Sequence, residues 1–286
     1  MWWIYQILAA LALLAAGPWL LVLRRRHYLP TLRGRLGGFA PDSGAPESAA
    51  RRPGAFWIHA VSVGEAALAG ALAARLPGDL AVLVTTITPT GQDQARAATA
   101  RLGNRGTVAY LPFELAFAIR RFFRRFAPSS LVLVEGDFWP LLLRAAGARG
   151  IPMAVVNGRV SDRSFARLRR FQWFALPLFF APIGRFGVQT ALDADRLVAL
   201  GVPRERIAVT GNLKFDSPAP AANAELAARL ERLAAGRPIV VAGSTITAGY
   251  LGGFVFGEIL GLAAAYLPAA GVVGYLTAVL PRTWLK

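Results

Sequence analysis

The sequence predicts an α/β protein, a parallel sheet with helices on both faces, behind an N-terminal membrane anchor helix. Three observations predict it. Between Ala55 and Asp216, short apolar runs alternate with stretches of helix formers, strand then helix, repeatedly. An apolar run, Ala55-Phe-Trp-Ile, leads into His59-Ala-Val-Ser-Val-Gly-Glu65, which reads as strand, tight turn and helix start. Its carboxylate lies at the carboxyl end of a strand, where open α/β sheets bind ligands. The third observation is Trp2 to Leu23, a stretch without a charged residue.

That first stretch, as a helix, spans about 33 Å, enough to cross a bilayer core. Trp2, Trp3 and Tyr5 at one end and Trp19 near the other sit where an aromatic belt places them. Arg24-Arg25-Arg26 follows, and the positive-inside rule puts everything after it in the cytoplasm. A cleaved signal peptide fits less well, because the charges follow the apolar run. Residues 1–26 are thus expected as anchor and 27–54, basic and then rich in Gly, Pro and Ser, as a loose juxtamembrane linker. Arg33-Gly-Arg-Leu-Gly-Gly is expected against phospholipid headgroups.

The sheet follows. Strands are expected over 56–61, 80–85, 107–111, 130–134, 153–157, 185–189 and 207–209. Helices are expected over 66–76, 92–101, 115–126, 140–149, a basic segment 163–180, and 191–199. Residues 55–217 suffice for one such domain. Beyond it come a helix over 224–234 and a strand at Pro238–Ala242 that runs into Ser244-Thr245, the opening of a second α/β domain over 218–245. From 246 to 280 the only charge is Glu258, and 246–286 reads as an apolar tail.

Composition narrows the chemistry. Of 286 residues, 55% are hydrophobic and mean hydropathy is +0.45, so membrane contact is the first expectation. There is no cysteine and there are two histidines, which rules out disulfides and Cys-based metal sites and argues against a His-rich one. The net charge of +16, almost all from Arg, attracts phosphates. Basic clusters fall at 24–26, 33–35, 120–125 and 159–170, none within a nucleic-acid motif. Beside a membrane segment, anionic lipid is the better partner.

Several polar clusters end predicted strands. Glu65 is either a helix-start carboxylate or a catalytic one. Thr85-Thr-Ile-Thr-Pro-Thr-Gly91 suits an N-cap turn, or hydrogen bonds to a sugar. Glu135-Gly-Asp137-Phe-Trp-Pro140 offers two carboxylates for acid–base work or hydroxyl binding, or a solvated loop with Pro140 at the first helical position. Asn157-Gly-Arg159-Val-Ser161-Asp-Arg163-Ser164 carries arginines that clamp a phosphate or face water. Lys214, in Gly211-Asn-Leu-Lys-Phe-Asp216, stands out because the chain has one other lysine, Lys286.

In order, the chain carries Ser62-Val-Gly-Glu65, Thr86-Ile-Thr-Pro-Thr-Gly91, Tyr110-Leu-Pro-Phe113, Glu135-Gly-Asp-Phe-Trp-Pro140, Asn157-Gly-Arg-Val-Ser161, Asp193-Ala-Asp-Arg196 with Leu200-Gly201, and Thr210-Gly-Asn-Leu-Lys-Phe-Asp216. Through these it resembles the 3-deoxy-D-manno-octulosonic acid (Kdo) transferases of lipopolysaccharide assembly, from Trp2 to about Thr245. The resemblance implies an inner-membrane glycosyltransferase of the two-domain GT-B fold, inverting, with a Rossmann-like N-terminal domain facing the cytoplasm. It implies transfer of Kdo from CMP-Kdo to lipid IVA, with no metal and no cofactor, the nucleotide sugar being a substrate. It makes Glu65 the general base and Glu135 and Lys214 transition-state stabilisers. Ser62, Gly64, Thr88, Thr90, Gly91, Asp137, Arg159 and Ser161 become candidate substrate contacts. The family's second acid is usually Glu, and Asp137 is one methylene shorter. After Thr245 the family continues with a His, paired Glu and a CMP-binding domain, which this tail does not resemble. Little or no transfer by these residues alone is therefore expected. The competing readings are a membrane-bound protein that holds lipid A precursor without transferring sugar, and a basic nucleic-acid binder, disfavoured for want of a base-stacking motif.

Overall fold

Three strands at one edge of the sheet are laid down first, the innermost of them earliest; the chain then crosses to that strand's other side. A computed structural model describes residues 25–38 and 54–216 continuously, and single positions between 5 and 17 and between 225 and 232. Seven parallel strands form one sheet: β1 (Phe56–His59), β2 (Val82–Thr86), β3 (Gly106–Tyr110), β4 (Ser130–Val134), β5 (Met153–Gly158), β6 (Arg185–Val188) and β7 (Ile207–Val209). Their order is β3-β2-β1-β4-β5-β6-β7. The order reverses between β1 and β4, where His59 lies opposite Leu133, and a crevice at such a switch point is the usual ligand site of an open sheet.

Both faces of the sheet are covered, so its strands are apolar on both sides. Trp57, Leu83, Leu131 and Leu133 face one core, and Ile58, Val82, Val84 and Val134 the other. On the first face lies α4 (Ala116–Phe126), which buries Ala118, Ile119, Phe122, Phe123 and Phe126. Phe122 stacks 4.8 Å from both Trp57 and Phe126. Each such burial stabilises the fold by about 1.5–3 kcal/mol. The arginines at 120, 121 and 124 fall between these positions and face outward, so this basic cluster is the solvated side of an amphipathic helix. On the other face, α2 (Val63–Ala74) packs on α3 (Pro89–Thr99). They approach so closely at Gly70 that an added Cβ would lie 2.4 Å from the Ala98 methyl. The remaining helices are α5 (Pro140–Gly147), α6 (Asp162–Arg170), the short α7 (Gln172–Ala175) and α8 (Ala191–Ala199).

Three expectations are corrected here. The linker is not loose throughout: Arg25–Arg35 forms a helix, α1. Arg35 does not meet headgroups. It is 4% exposed, donates to the Ile87 carbonyl and stacks over Tyr110 and Phe113. The basic segment expected as one helix over 163–180 is broken at Phe171 and ends in a wide turn over Leu176–Phe180. Pro177 lacks the N–H that would continue the α ladder, and Ala181 N instead bonds Leu176 O across five residues.

No helix among the described residues is long and apolar enough to cross a membrane. Most of the expected anchor lies outside those residues. Tyr5, which is described, donates its hydroxyl to Glu114 Oε2 at 2.8 Å and packs on the main core. The chain divides into two units, Met1–Pro218 and Ala219–Lys286. Of the second, Glu225, Ala228, Arg229, Glu231 and Arg232 are described, all helical. The expected opening strand at 238–242 and the tail over 246–286 lie outside the described residues.

Candidate functional site

Two loops leave the switch point, one after β1 and one after β4. In the first, Ser62 caps α2, accepting from Glu65 N at 3.4 Å. Glu65 sits in the first turn and folds back: Oε2 accepts from Val61 N at 2.8 Å, and Oε1 accepts from the Ser62 hydroxyl at 2.9 Å. This is a variant of the capping box, with the reciprocal bond made one residue earlier. The loop is stitched to the next one. Thr88 Oγ1 donates to Val61 O and accepts from Gly91 N, capping α3. Gly91 has no room for a side chain, since a Cβ would lie 2.7 Å from Thr88 Oγ1 and 3.1 Å from Val61 O. Thr88 and Gly91, expected at substrate, thus build the loop. Thr90 is exposed in the first turn of α3, and Gly64 has open space around it in α2.

In the second loop Glu135 is held in the left-handed region, φ 62°, where a non-glycine residue is strained. Its Oε1 lies 2.7 Å from Lys214 Nζ and accepts from Asn157 Nδ2 at 3.1 Å. The structure therefore joins Glu135 and Lys214, which are 79 residues apart in sequence. The pair is partly exposed, with Lys214 half open to solvent.

Asp137 lies beside them. Its Oδ2 accepts from Trp139 Nε1 at 2.8 Å and stands 3.8 Å from Nε2 of His59, whose side chain is fully buried. His59 Nδ1 lies 2.9 Å from Thr85 Oγ1. Nδ1 also lies 3.2 Å from the Thr85 carbonyl oxygen. Nε2 itself has no hydrogen-bond partner. Next to Asp137 opens a cleft of about 360 Å³ with Phe138, Phe179 and Phe180 in its wall and Arg159 and Arg167 at its edge. Ser161, a candidate substrate contact, caps α6, accepting from Ser164 N at 3.2 Å.

Glu114 holds this second loop from outside. α5 begins at Pro140 with no side-chain cap of its own. Glu114 accepts from Leu141 N at 2.8 Å and Leu142 N at 2.9 Å, taking the two amides the helix start leaves free. Burial raises its carboxyl above the ordinary value, and the hydrogen bonds oppose that rise. Glu114 and Asn157 escaped the reading of the sequence as site-building residues. The signal for Asn157 is a polar residue capable of left-handed geometry at the end of an apolar strand. For Glu114 it is a rare acid in an arginine-rich chain, but its partner helix lies 26 residues on.

A parallel sheet with ionisable side chains gathered beyond its strand ends, beside an aromatic cleft, defines an α/β ligand-handling domain. The family model described as 3-deoxy-D-manno-octulosonic-acid transferase (kdotransferase) matches residues 31–217, and the chain belongs to that family. A 3-deoxy-D-manno-octulosonic acid transferase of Bordetella pertussis is 37% identical over 236 residues, covering 81% of this chain and 50% of the relative. One from Haemophilus influenzae is 32% identical over 233 residues, 79% of this chain and 52% of the relative. The chain thus spans about half the length of these relatives. Among solved structures, the UDP-GlcNAc 2-epimerase from Neisseria meningitidis, bound to UDP-GlcNAc, is similar with a TM-score of 0.39 at 12% identity. That match covers 70% of this chain and 53% of the epimerase, and is too loose to carry an argument.

Proposed function

We propose that this chain is the acceptor-holding part of a GT-B glycosyltransferase that moves Kdo from CMP-Kdo to lipid IVA. The observation that carries the reading is the Glu135–Lys214 pair, 2.7 Å apart beyond the sheet's carboxyl edge, beside the cleft edged by Arg159 and Arg167. In this reading Glu65 takes the proton of the acceptor hydroxyl as its oxygen bonds the anomeric carbon of Kdo. Each carboxylate oxygen already accepts one bond and keeps a lone pair for that proton. The anomeric carbon–oxygen bond to CMP breaks with inversion, its electron pair leaving on the phosphate. Lys214, oriented by Glu135, is placed to offset that charge. Aromatic walls suit acyl chains, and Arg159 and Arg167 suit the acceptor's phosphates.

The location this calls for is the cytoplasmic face of the inner membrane, where the apolar stretch 2–23 would meet lipid. A helix spanning the bilayer would carry Tyr5 roughly 30 Å from the cytoplasm, out of reach of Glu114. Protease protection of tagged residue 2 in inverted vesicles separates the two arrangements. Protection supports the span; cleavage supports the docked Tyr5.

The central test measures acceptor binding by the 286-residue chain and, in a protein of the relatives' full length, product from CMP-Kdo and lipid IVA. Product that disappears in Lys214→Met supports transfer. Acceptor binding that weakens in Arg159→Ser with Arg167→Ser, without product, favours the holding protein. Neither binding nor product overturns the reading.

A further inference from the structure

We infer that Asn157 is the positioning residue that holds Glu135 and Lys214 together. Three independent features converge on it. Asn157 is fully buried and lies where the pairing of β5 with β6 shifts register, between Val155 and Gly158. Such a bulge re-aims a side chain at a strand end. Its φ of 56° places it in the left-handed region, which Asn tolerates better than most residues.

Its amide then serves both loops at once. Nδ2 donates to Glu135 Oε1 at 3.1 Å, and Oδ1 accepts from Leu213 N at 2.9 Å. Only this orientation satisfies both partners, because the carboxylate needs a donor and the backbone N–H needs an acceptor. The Asn157 carbonyl in turn accepts from Gln189 Nε2 at 3.1 Å, which fixes the backbone. One buried amide thus sets the carboxylate on one side and the amide of Leu213, the residue before Lys214, on the other. Lys214 has few other restraints: Lys214 N bonds Asn212 Oδ1 at 3.0 Å, and Phe215 beyond it is 87% exposed. Without Asn157 the ion pair would be one of the half-exposed kind that side-chain entropy readily opens.

The assignment concerns geometry, so its test needs no glycosyl transfer and can fail while the functional reading stands. A water-soluble carbodiimide activates a carboxyl group, and an amine in contact displaces the urea to form an amide. A Glu135–Lys214 amide, identified by mass spectrometry of the full chain, reports their contact directly. Asn157→Gly accepts the backbone angle and removes both amide bonds. It is expected to lower the amide yield about tenfold or more, the scale of a lost hydrogen bond to a charged group, with cooperative thermal unfolding retained. Asn157→Asp keeps the shape and the bond to Leu213 N but offers no donor to Glu135, and the Glu135–Lys214 yield is expected to fall as well. If Asn157→Gly does not fold, Asn157→Asp carries the test. A folded variant with an unchanged yield overturns the assignment.

Discussion

The two loops at the switch point are built in opposite ways. The loop after β1 places its carboxylate with its own residues: Ser62, Val61 and Glu65 bond one another within four positions, and from outside Thr88 only ties down the Val61 carbonyl. The loop after β4 is satisfied from elsewhere: Asn157 and Lys214 hold Glu135, and Glu114 caps α5. A self-contained loop forms wherever strand and helix meet. A loop held by distant side chains depends on the whole sheet being in register. The first therefore offers a carboxylate ready in place, and the second a charge pair whose geometry the fold imposes.

The largest expected effect tests what the self-contained loop is for. Glu65→Gln keeps the shape and the oxygen that accepts from Val61 N, but takes no proton. Measured in a protein of the relatives' full length, the transfer rate should fall about a hundred- to ten-thousand-fold. Stability should change by about 1 kcal/mol or less, the scale of a first-turn charge. A rate within a few-fold of the parent would make Glu65 a cap alone and remove the contrast between the loops.

Next in size is Lys214→Met, which empties the imposed pair of its cation. If Lys214 faces the leaving phosphate, the rate should drop about a hundred- to a thousand-fold. Unfolding should move by no more than about 1 kcal/mol, since the pair is half exposed. A large loss of stability with little loss of rate would turn the pair into a brace for the loop.

What the sequence disclosed follows the same division. The strands over 130–134 and 207–209 and the helix over 191–199 fall where apolar pattern and caps put them. Those signals are local: Thr190 caps α8 through Asp193, three residues on. Glu65, Glu135 and Lys214 stood out by type and motif, but only the fold reveals that the last two touch. Asn157 stands within a motif that does not disclose its role, because its meaning lies in Leu213 and Glu135, 56 and 22 residues away. Arg35 was misplaced for the same reason. An arginine in a basic run beside an apolar stretch reads as a headgroup contact, and nothing nearby announces the Ile87 carbonyl or the two rings that cover it.

The smallest expected effect compares the two helix starts as charges. Glu65 caps its own helix, whereas Glu114 caps α5 from a half-buried position that shifts its protonation. Burial is the larger influence on Glu114, and it raises the carboxyl from 4.5 despite the opposing bonds from Leu141 N, the Tyr5 hydroxyl and Leu142 N. The folded chain then keeps this proton to higher pH than the unfolded chain. The stability linked to it is fully present below the unfolded value and is lost as pH rises through the folded one. Glu114→Gln retains an oxygen for one helix amide and cannot titrate. The stability of the variant relative to the parent should therefore improve as pH rises from acid toward neutral, read as the difference between their urea unfolding midpoints. A flat difference would mean that the three hydrogen bonds cancel the burial. A difference running the other way would mean that the free amides of α5 favour the charged form, and that a cap supplied from a distance serves its helix as well as one supplied from within.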